Sequence, residues 1–177
     1  VATIRGYAEL YRTGGLEDPE RLADAMRRTE AETVRMGGLV EDLLSLARLD
    51  EGRPLEVVDV DLCSVIEDAA ADARAVDPTR TVETSTATPV VVRADEARIR
   101  QVVANLVGNA LVHTPDGTPV RLSCGTSDGS SFLEVSDDGP GMAPEVAERA
   151  FERFYRADPS RSRHRGGSGL GLAIVDA

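Results

Sequence analysis

The chain has 177 residues and a formal net charge of −11 at pH 7, and its 20 basic residues are all arginine. That acidic balance argues against general nucleic-acid binding, which needs a positive field against phosphates, and no apolar run reaches the ~20 residues that span a bilayer. With 41% hydrophobic residues, 3% aromatic and no Trp, the chain can build a core, and that core is aliphatic.

Both ends fall inside helical patterns, so the sequence reads as a piece of a longer chain. Residues 1–12 are expected to form a short helix with Ile4, Ala8 and Tyr11 or Leu10 on one side. Residues 13–19, Thr-Gly-Gly-Leu-Glu-Asp-Pro, break it. Asp18 then caps, and Pro19 opens, a second helix running to about Asp50. Its small or apolar positions recur by sevens in two sets, Leu22, Thr29, Met36, Leu43 and Met26, Thr33, Val40, Ala47. Such interleaved sets make a coiled-coil seam. A hairpin this small cannot hide that stripe, so a dimeric four-helix bundle is expected. The alternative is a helical pair packed on its own chain.

Glu51-Gly52-Arg53-Pro54 is a charged break with Gly and Pro, and it marks a boundary. Residues 55–60 read as a strand, and Asp61 caps a helix over 62–75. Residues 80–86 and 90–93 are strands rich in β-branched side chains. Asp95 caps the next helix, from Glu96 to about Val112, whose apolar face is Ile99, Val102, Val103, Leu106, Ala110 and Leu111. Asn105 and Asn109 lie one turn apart on an adjoining face. Asn is a poor helix-interior residue, so the pair is a solvated or mutually bonded couple, or a ligand set, since an amide oxygen suits Mg²⁺. After the Pro115-Asp116-Gly117 turn, residues 120–125 and 131–137 pair as neighbouring strands. The alternation of helices and strands gives an α+β fold, a two-layer sandwich with a mixed sheet covered by helices on one face. Cys63 and Cys124, the only cysteines, lack metal-like spacing and read as small buried hydrophobes of a reducing compartment.

The stretch 134–142, Glu-Val-Ser-Asp-Asp-Gly-Pro-Gly-Met, delivers Asp137 and Asp138 from a strand onto a turn. A carboxylate at such a lip can accept a hydrogen bond from the amino group of a base, although Asp-Gly and Pro-Gly also mark ordinary turns. Residues 144–149 form a short helix. The Phe151 and Phe154 pair, at i,i+3, is expected to plug a hydrophobic hole under a loop. Residues 158–165 are polar and basic, with Arg161, Arg163, His164 and Arg165, and read as a mobile lid or as a solvated surface loop. Residues 166–171 are glycine-rich and open a helix, a pattern that favours anions but is common.

Taken together, these stretches resemble a known family. Residues 100–110, with Asn105 and Asn109, resemble the N box of bacterial sensor histidine kinases; Ser136-Asp137-Asp138-Gly139-Pro140-Gly141 resembles the G1 box. Phe151-Glu152-Arg153-Phe154-Tyr155 resembles the F box, and Gly167-Ser168-Gly169-Leu170-Gly171-Leu172 the G2 box. The resemblance implies a Bergerat-type (GHKL) ATP-binding domain over 53–177, C-terminally incomplete, after a partial dimerisation and phosphotransfer hairpin over 1–52. It implies ATP and Mg²⁺ as ligands, with Asp137 accepting the adenine amino group, Asn109 on the metal and Asn105 near the phosphates. Gly139 and Gly141 would admit the nucleotide, and Gly167, Gly169 and Gly171 would hold phosphate. His113, Phe154, Tyr155, Arg156, Ser168 and Leu170 complete the implied nucleotide-contacting set, and residues 155–166 would be the lid. The implied partners are a second copy, through the hairpin, and a response-regulator receiver domain. The implied setting is the cytoplasmic part of a membrane receptor kinase.

The sequence departs from the family pattern at Val112, where Lys or Arg is common, and at His113, where an aromatic is common. Arg156 or a lid arginine would compensate. The phosphoacceptor His is absent, so this polypeptide is expected to bind ATP without autophosphorylating. A gyrase, Hsp90 or MutL-like ATPase is the competing reading. There the residue four before the metal Asn is a Glu that activates water, whereas here it is Asn105, an amide that cannot act as a base. A non-enzymatic dimerising nucleotide module is the third.

Overall fold

The chain divides into two units, Val1–Ser45 and Leu46–Ala177. The computed structural model describes residues 2–50, 54–86, 88–156 and 169–176, apart from the side chains of 42, 45, 46 and 48–50. In the first unit lie α1 (Ala2–Arg12) and the start of α2 (Pro19–Asp50). Asp18 Oδ1 accepts the Glu20 N–H at 2.9 Å, which supplies the expected cap. The Gly15 N–H closes α1 on Leu10 O at 2.8 Å. Leu16 and Ala25 are buried. Of the heptad positions, Leu22 and Thr29 are half-buried, and Met26, Thr33, Met36, Val40, Leu43 and Ala47 are exposed.

The second unit contains β1 (Val57–Asp61), α3 (Leu62–Val76), β2 (Val82–Thr86), β3 (Val91–Asp95) and α4 (Glu96–His113). It continues with β4 (Val120–Ser127), β5 (Ser130–Asp137), α5 (Pro144–Ala147) and α6 (Gly171–Asp176). The sheet forms in two hydrogen-bonded pieces: β1 and β3 antiparallel, and β2–β4–β5, in which β2 runs parallel to β4 and β5 antiparallel to it. A parallel pair and an antiparallel pair on one strand make the sheet mixed. The β4 and β5 strands run longer than their β-branched content suggests. Asp128 and Gly129, at φ +52° and +79°, form the two-residue turn whose twist matches a hairpin.

Both long helices of this unit start on an aspartate. Asp61 accepts from the Cys63 N–H at 2.9 Å. Asp95 accepts from Arg98 at 3.2 Å and from Glu56, beside β1, at 3.1 Å. The core is wholly aliphatic apart from Cys124. Val65, Ile66, Ala70 and Ala73 of α3 meet Val82, Val120 and Leu122 of the sheet and Val103, Val107 and Ala110 of α4. The sequence places Val102 and Leu106 on the inward face of α4; they are instead half-buried, and Val107 takes the core position. The reason is that α4 is covered on two sides, by the core and by α6, whose Ala173 and Ile174 are buried. Its apolar positions therefore circle the helix. The Phe pair does not plug a hole: Phe151 is 47% and Phe154 59% exposed.

Candidate functional site

One helix carries the site. Asn105 and Asn109 project from the middle of α4, both half-buried, and the Nδ2 atom of each is buried with no hydrogen-bond partner. A native fold rarely leaves a buried amide donor unpaired, because the lost hydration is not regained. Two on adjacent turns leave a pair of donors open to an acceptor from outside the protein, water or ligand. A Cβ added to Gly171 would lie 3.3 Å from Asn105 Oδ1, so the glycine-rich turn passes directly over this amide.

The same turn is clasped from its other side. Phe154 donates its N–H to Gly169 O at 2.9 Å. Phe154 and Gly169 both sit at positive φ, +65° and +73°. A Cβ on Gly169 would stand 2.9 Å from Tyr155 O, so only glycine fits both the conformation and the space. Arg149 lies over the Tyr155 ring, 4.3 Å from its centroid, and pairs with Glu152 at 2.9 Å. Next to Tyr155, Arg156 is half-buried and its Nε is a third buried donor without a partner.

At the other end of α4, its C-cap Thr114 touches the acidic turn. A Cβ on Gly139 would lie 2.7 Å from Thr114 Cγ2 and 2.7 Å from Asp137 Oδ1. The Gly139 N–H donates to that Oδ1 at 2.9 Å, which fixes the carboxylate while Asp137 stays exposed. Its neighbour Asp138 is spoken for. Arg121 donates to both its oxygens, at 2.9 and 2.6 Å, and those bonds hold the Asp138 carboxyl below its usual range. Of the two adjacent carboxylates, Asp137 is therefore the one left to face a ligand.

The four sequence stretches are thus linked through α4: residues 154–155 to Gly169, Gly171 to Asn105, and Thr114 to Gly139 and Asp137. Gly141, at φ +69°, has open space where a Cβ would stand. His113 is exposed at the end of α4, and no contact ties it to this group among the described residues. Leu170 is fully buried with Ile174, so its side chain belongs to the packing under the turn. Gly167, Ser168 and the lid arginines lie outside the described residues.

The profile of the His Kinase A (phospho-acceptor) domain matches residues 1–52. That of the histidine kinase-, DNA gyrase B- and HSP90-like ATPases matches residues 94–177. A solved structure described as "Mycobacterial sensor histidine kinase MprB" superposes with a TM-score of 0.59 at 32% identity, over 68% of this chain and 76% of that one. The chain belongs to the sensor histidine kinase family. A curated member, the "Probable sensor histidine kinase TcrY" of Mycobacterium tuberculosis, is 48% identical over all of this chain and 37% of its own length. A solved structure described as "ShkA full-length in complex with AMPPNP" matches at 30% identity and a TM-score of 0.70, over 90% of this chain and 33% of that one. The chain spans a little over a third of the length of the curated sensor kinases it matches first.

Reading motifs in a histidine kinase sequence does not reveal what ties them together. Arg80, Thr114 and Arg121 carried no motif signal. Arg80 sits in the turn before β2 and Arg121 at a polar position of β4, places where a solvated arginine is the ordinary expectation. Only the fold brings Arg80 onto Thr114 and Arg121 onto Asp138.

Proposed function

We propose that the second unit binds ATP with Mg²⁺ along α4, and that in the whole kinase the γ-phosphoryl group passes to a His of the helical hairpin within the same dimer, then to an Asp of a response regulator. The observation that carries this reading is the pair of unpaired, buried amide nitrogens of Asn105 and Asn109 beneath Gly171. The likeness to ShkA, solved in complex with AMPPNP, supports it.

The adenine amino group would donate to the exposed Asp137 carboxylate. Asn105 would donate to phosphate oxygens. Asn109, turned about χ2, would offer its oxygen to the cation, a hard ligand for a hard ion. Alongside Asn109, phosphate oxygens and water would complete the shell of the cation. Gly169 and Gly171 would admit the triphosphate, and Gly139 and Gly141 the base. Arg156, in place of a basic residue at Val112, would answer phosphate charge with its unpaired Nε. From Asn105 to Thr114 the helix rises ~13 Å, which spaces the phosphate end from the purine end. In the transfer, a histidine imidazole nitrogen attacks the γ-phosphorus, the bond to the bridging oxygen breaks, and ADP leaves. The protein's contribution is positioning and charge neutralisation.

The exposed apolar positions of α2, among them Met26, Val40 and Leu43, support a homodimeric four-helix bundle. No described helix is long and apolar enough to cross a membrane. The free thiols Cys63 and Cys124 suit the reducing, cytoplasmic side of a receptor kinase whose anchor lies in other segments. We take residues 1–52 as the hairpin domain and 53–177 as the ATP domain. A hydrolytic ATPase is disfavoured, because the water-activating position holds the amide of Asn105.

Calorimetry tests the reading. ATP should bind, more tightly with Mg²⁺ than without, while GTP, which presents an acceptor where adenine presents its amino group, should bind at least about tenfold more weakly. Equal binding of ATP and GTP, or no dependence on Mg²⁺, would contradict the roles of Asp137 and Asn109. Residues 1–52 contain no histidine, so incubation of this polypeptide alone with ATP should leave it unphosphorylated.

A further inference from the structure

Arg80 is 5% exposed, yet it lies far along the chain from every motif. Its Nε donates to Asp77 Oδ2 at 3.0 Å. One Nη donates to Thr114 Oγ1 at 2.5 Å and to Thr118 O at 3.3 Å; the other donates to Leu111 O at 3.3 Å. A buried guanidinium is costly unless every side of it is bonded, and this one ties Asp77 and Thr118 to the end of α4 at Leu111 and Thr114. Thr114 Oγ1 in turn donates to Ala110 O at 2.6 Å. With its hydroxyl held between an incoming donor and an outgoing acceptor, Thr114 has one χ1 setting. That setting places its methyl against Gly139, 2.7 Å from where a Cβ would stand. The Gly139 N–H then fixes Asp137 Oδ1.

We propose that Arg80 is a positioning residue for the purine end of the site. Through the Thr114 rotamer it sets the Gly139 turn, and through that turn the direction of the Asp137 carboxylate. The inference rests on the nucleotide reading given above. Arg80 touches no ligand itself. Its bonds make the C-terminal end of α4 and the acidic turn one rigid piece, so the hook is aimed before any base arrives.

The test is the binding of adenosine and of ATP·Mg²⁺ to wild type, Arg80→Met, Arg80→Lys and Thr114→Val. Each variant is first checked by thermal melting. Arg80→Met should weaken adenosine and ATP·Mg²⁺ by the same factor, about tenfold, leaving the ratio of their dissociation constants as in wild type. Arg80→Lys, which keeps a donor but loses the fork, should recover part of the loss. Thr114→Val keeps the shape and removes the hydroxyl, and should behave as Arg80→Met even where Arg80→Met fails to fold. Its Gly139 amide proton should move in the ligand-free spectrum. Folded variants that bind adenosine as wild type does would overturn the proposal while leaving the nucleotide site standing. A wild type that binds neither ligand would overturn the nucleotide reading and this one together.

Discussion

Thr114 Cγ2 stands 2.7 Å from where a Cβ on residue 139 would have to be, so the C-cap of the asparagine helix and the turn behind the acidic hook are packed to the limit of a glycine. Gly139 does not sit at positive φ, so Gly139→Ala is not a strained backbone. It is a steric wedge between Thr114 and Asp137. The variant should fold, and its affinity for ATP should fall about tenfold or more as Asp137 is pushed aside. Calorimetry beside a melting curve would separate the two effects; an alanine variant with wild-type affinity would show that the turn gives way harmlessly.

The two buried amides make an opposite kind of prediction. Their Nδ2 atoms have no hydrogen-bond partner within the protein, and an unpaired buried donor costs about 1–3 kcal/mol. Asn105→Leu and Asn109→Leu should therefore leave the free protein as stable as wild type or more so, while ATP·Mg²⁺ binding is lost. A gain in stability at the expense of function is the signature of groups held for a ligand. Urea unfolding with and without nucleotide measures both. If either leucine variant were clearly destabilised and still bound, the amides would be structural.

Acid should unfold the second unit partly through Asp95. The N–H of Glu56, then that of Arg98, hold its carboxyl below the usual carboxylate range. A depressed folded value means that the unfolded chain takes up the proton first. The stabilisation is fully present above the ordinary Asp value near 4 and is lost as pH falls through the lower folded one. Asp95→Asn still accepts at the cap but does not titrate. Its urea midpoint should change less than that of wild type between about pH 5 and pH 3.

At the alkaline end the group to watch is Cys124. Burial, with the Cys63 thiol 3.2 Å away, pushes it up to about 12. The unfolded thiol ionises near 8.5, so here the unfolded chain loses its proton first. Stability from this group is whole below about 8.5 and declines as pH rises towards 12. At about pH 8 iodoacetamide should label Cys124 only after denaturant is added, because the thiolate is the reactive form. Rapid labelling of Cys124 in the native protein, with the modified peptide identified by mass, would contradict this.

Much of this architecture is legible in the chain. Asp18, Asp61 and Asp95 announce helix starts, since a short carboxylate before an apolar run has a physical job there. Asp128-Gly129 carries a hairpin signal stronger than the strand propensity around it, and that turn, not β-branched content, sets the full lengths of β4 and β5. Val107 was missed because α4 is covered on two sides, and a helix with apolar residues all round has no single period to read. The nucleotide stretches could be picked out one by one, but nothing local says that Gly171 lies over Asn105 or that Arg80 reaches Thr114. Those are meetings across tens of residues, decided by how α3, α4 and the sheet close on one another.

The most direct test of the nucleotide site is an NMR titration of the labelled protein with ATP·Mg²⁺, following backbone amides and the side-chain NH₂ groups of asparagine. One saturable event should move Asn105 and Asn109 side-chain signals, residues 137–141 and residues 169–171 together, with the signals of α1 far less affected. If those three groups moved at different ATP concentrations, or stayed still while others shifted, the site along α4 would be wrong.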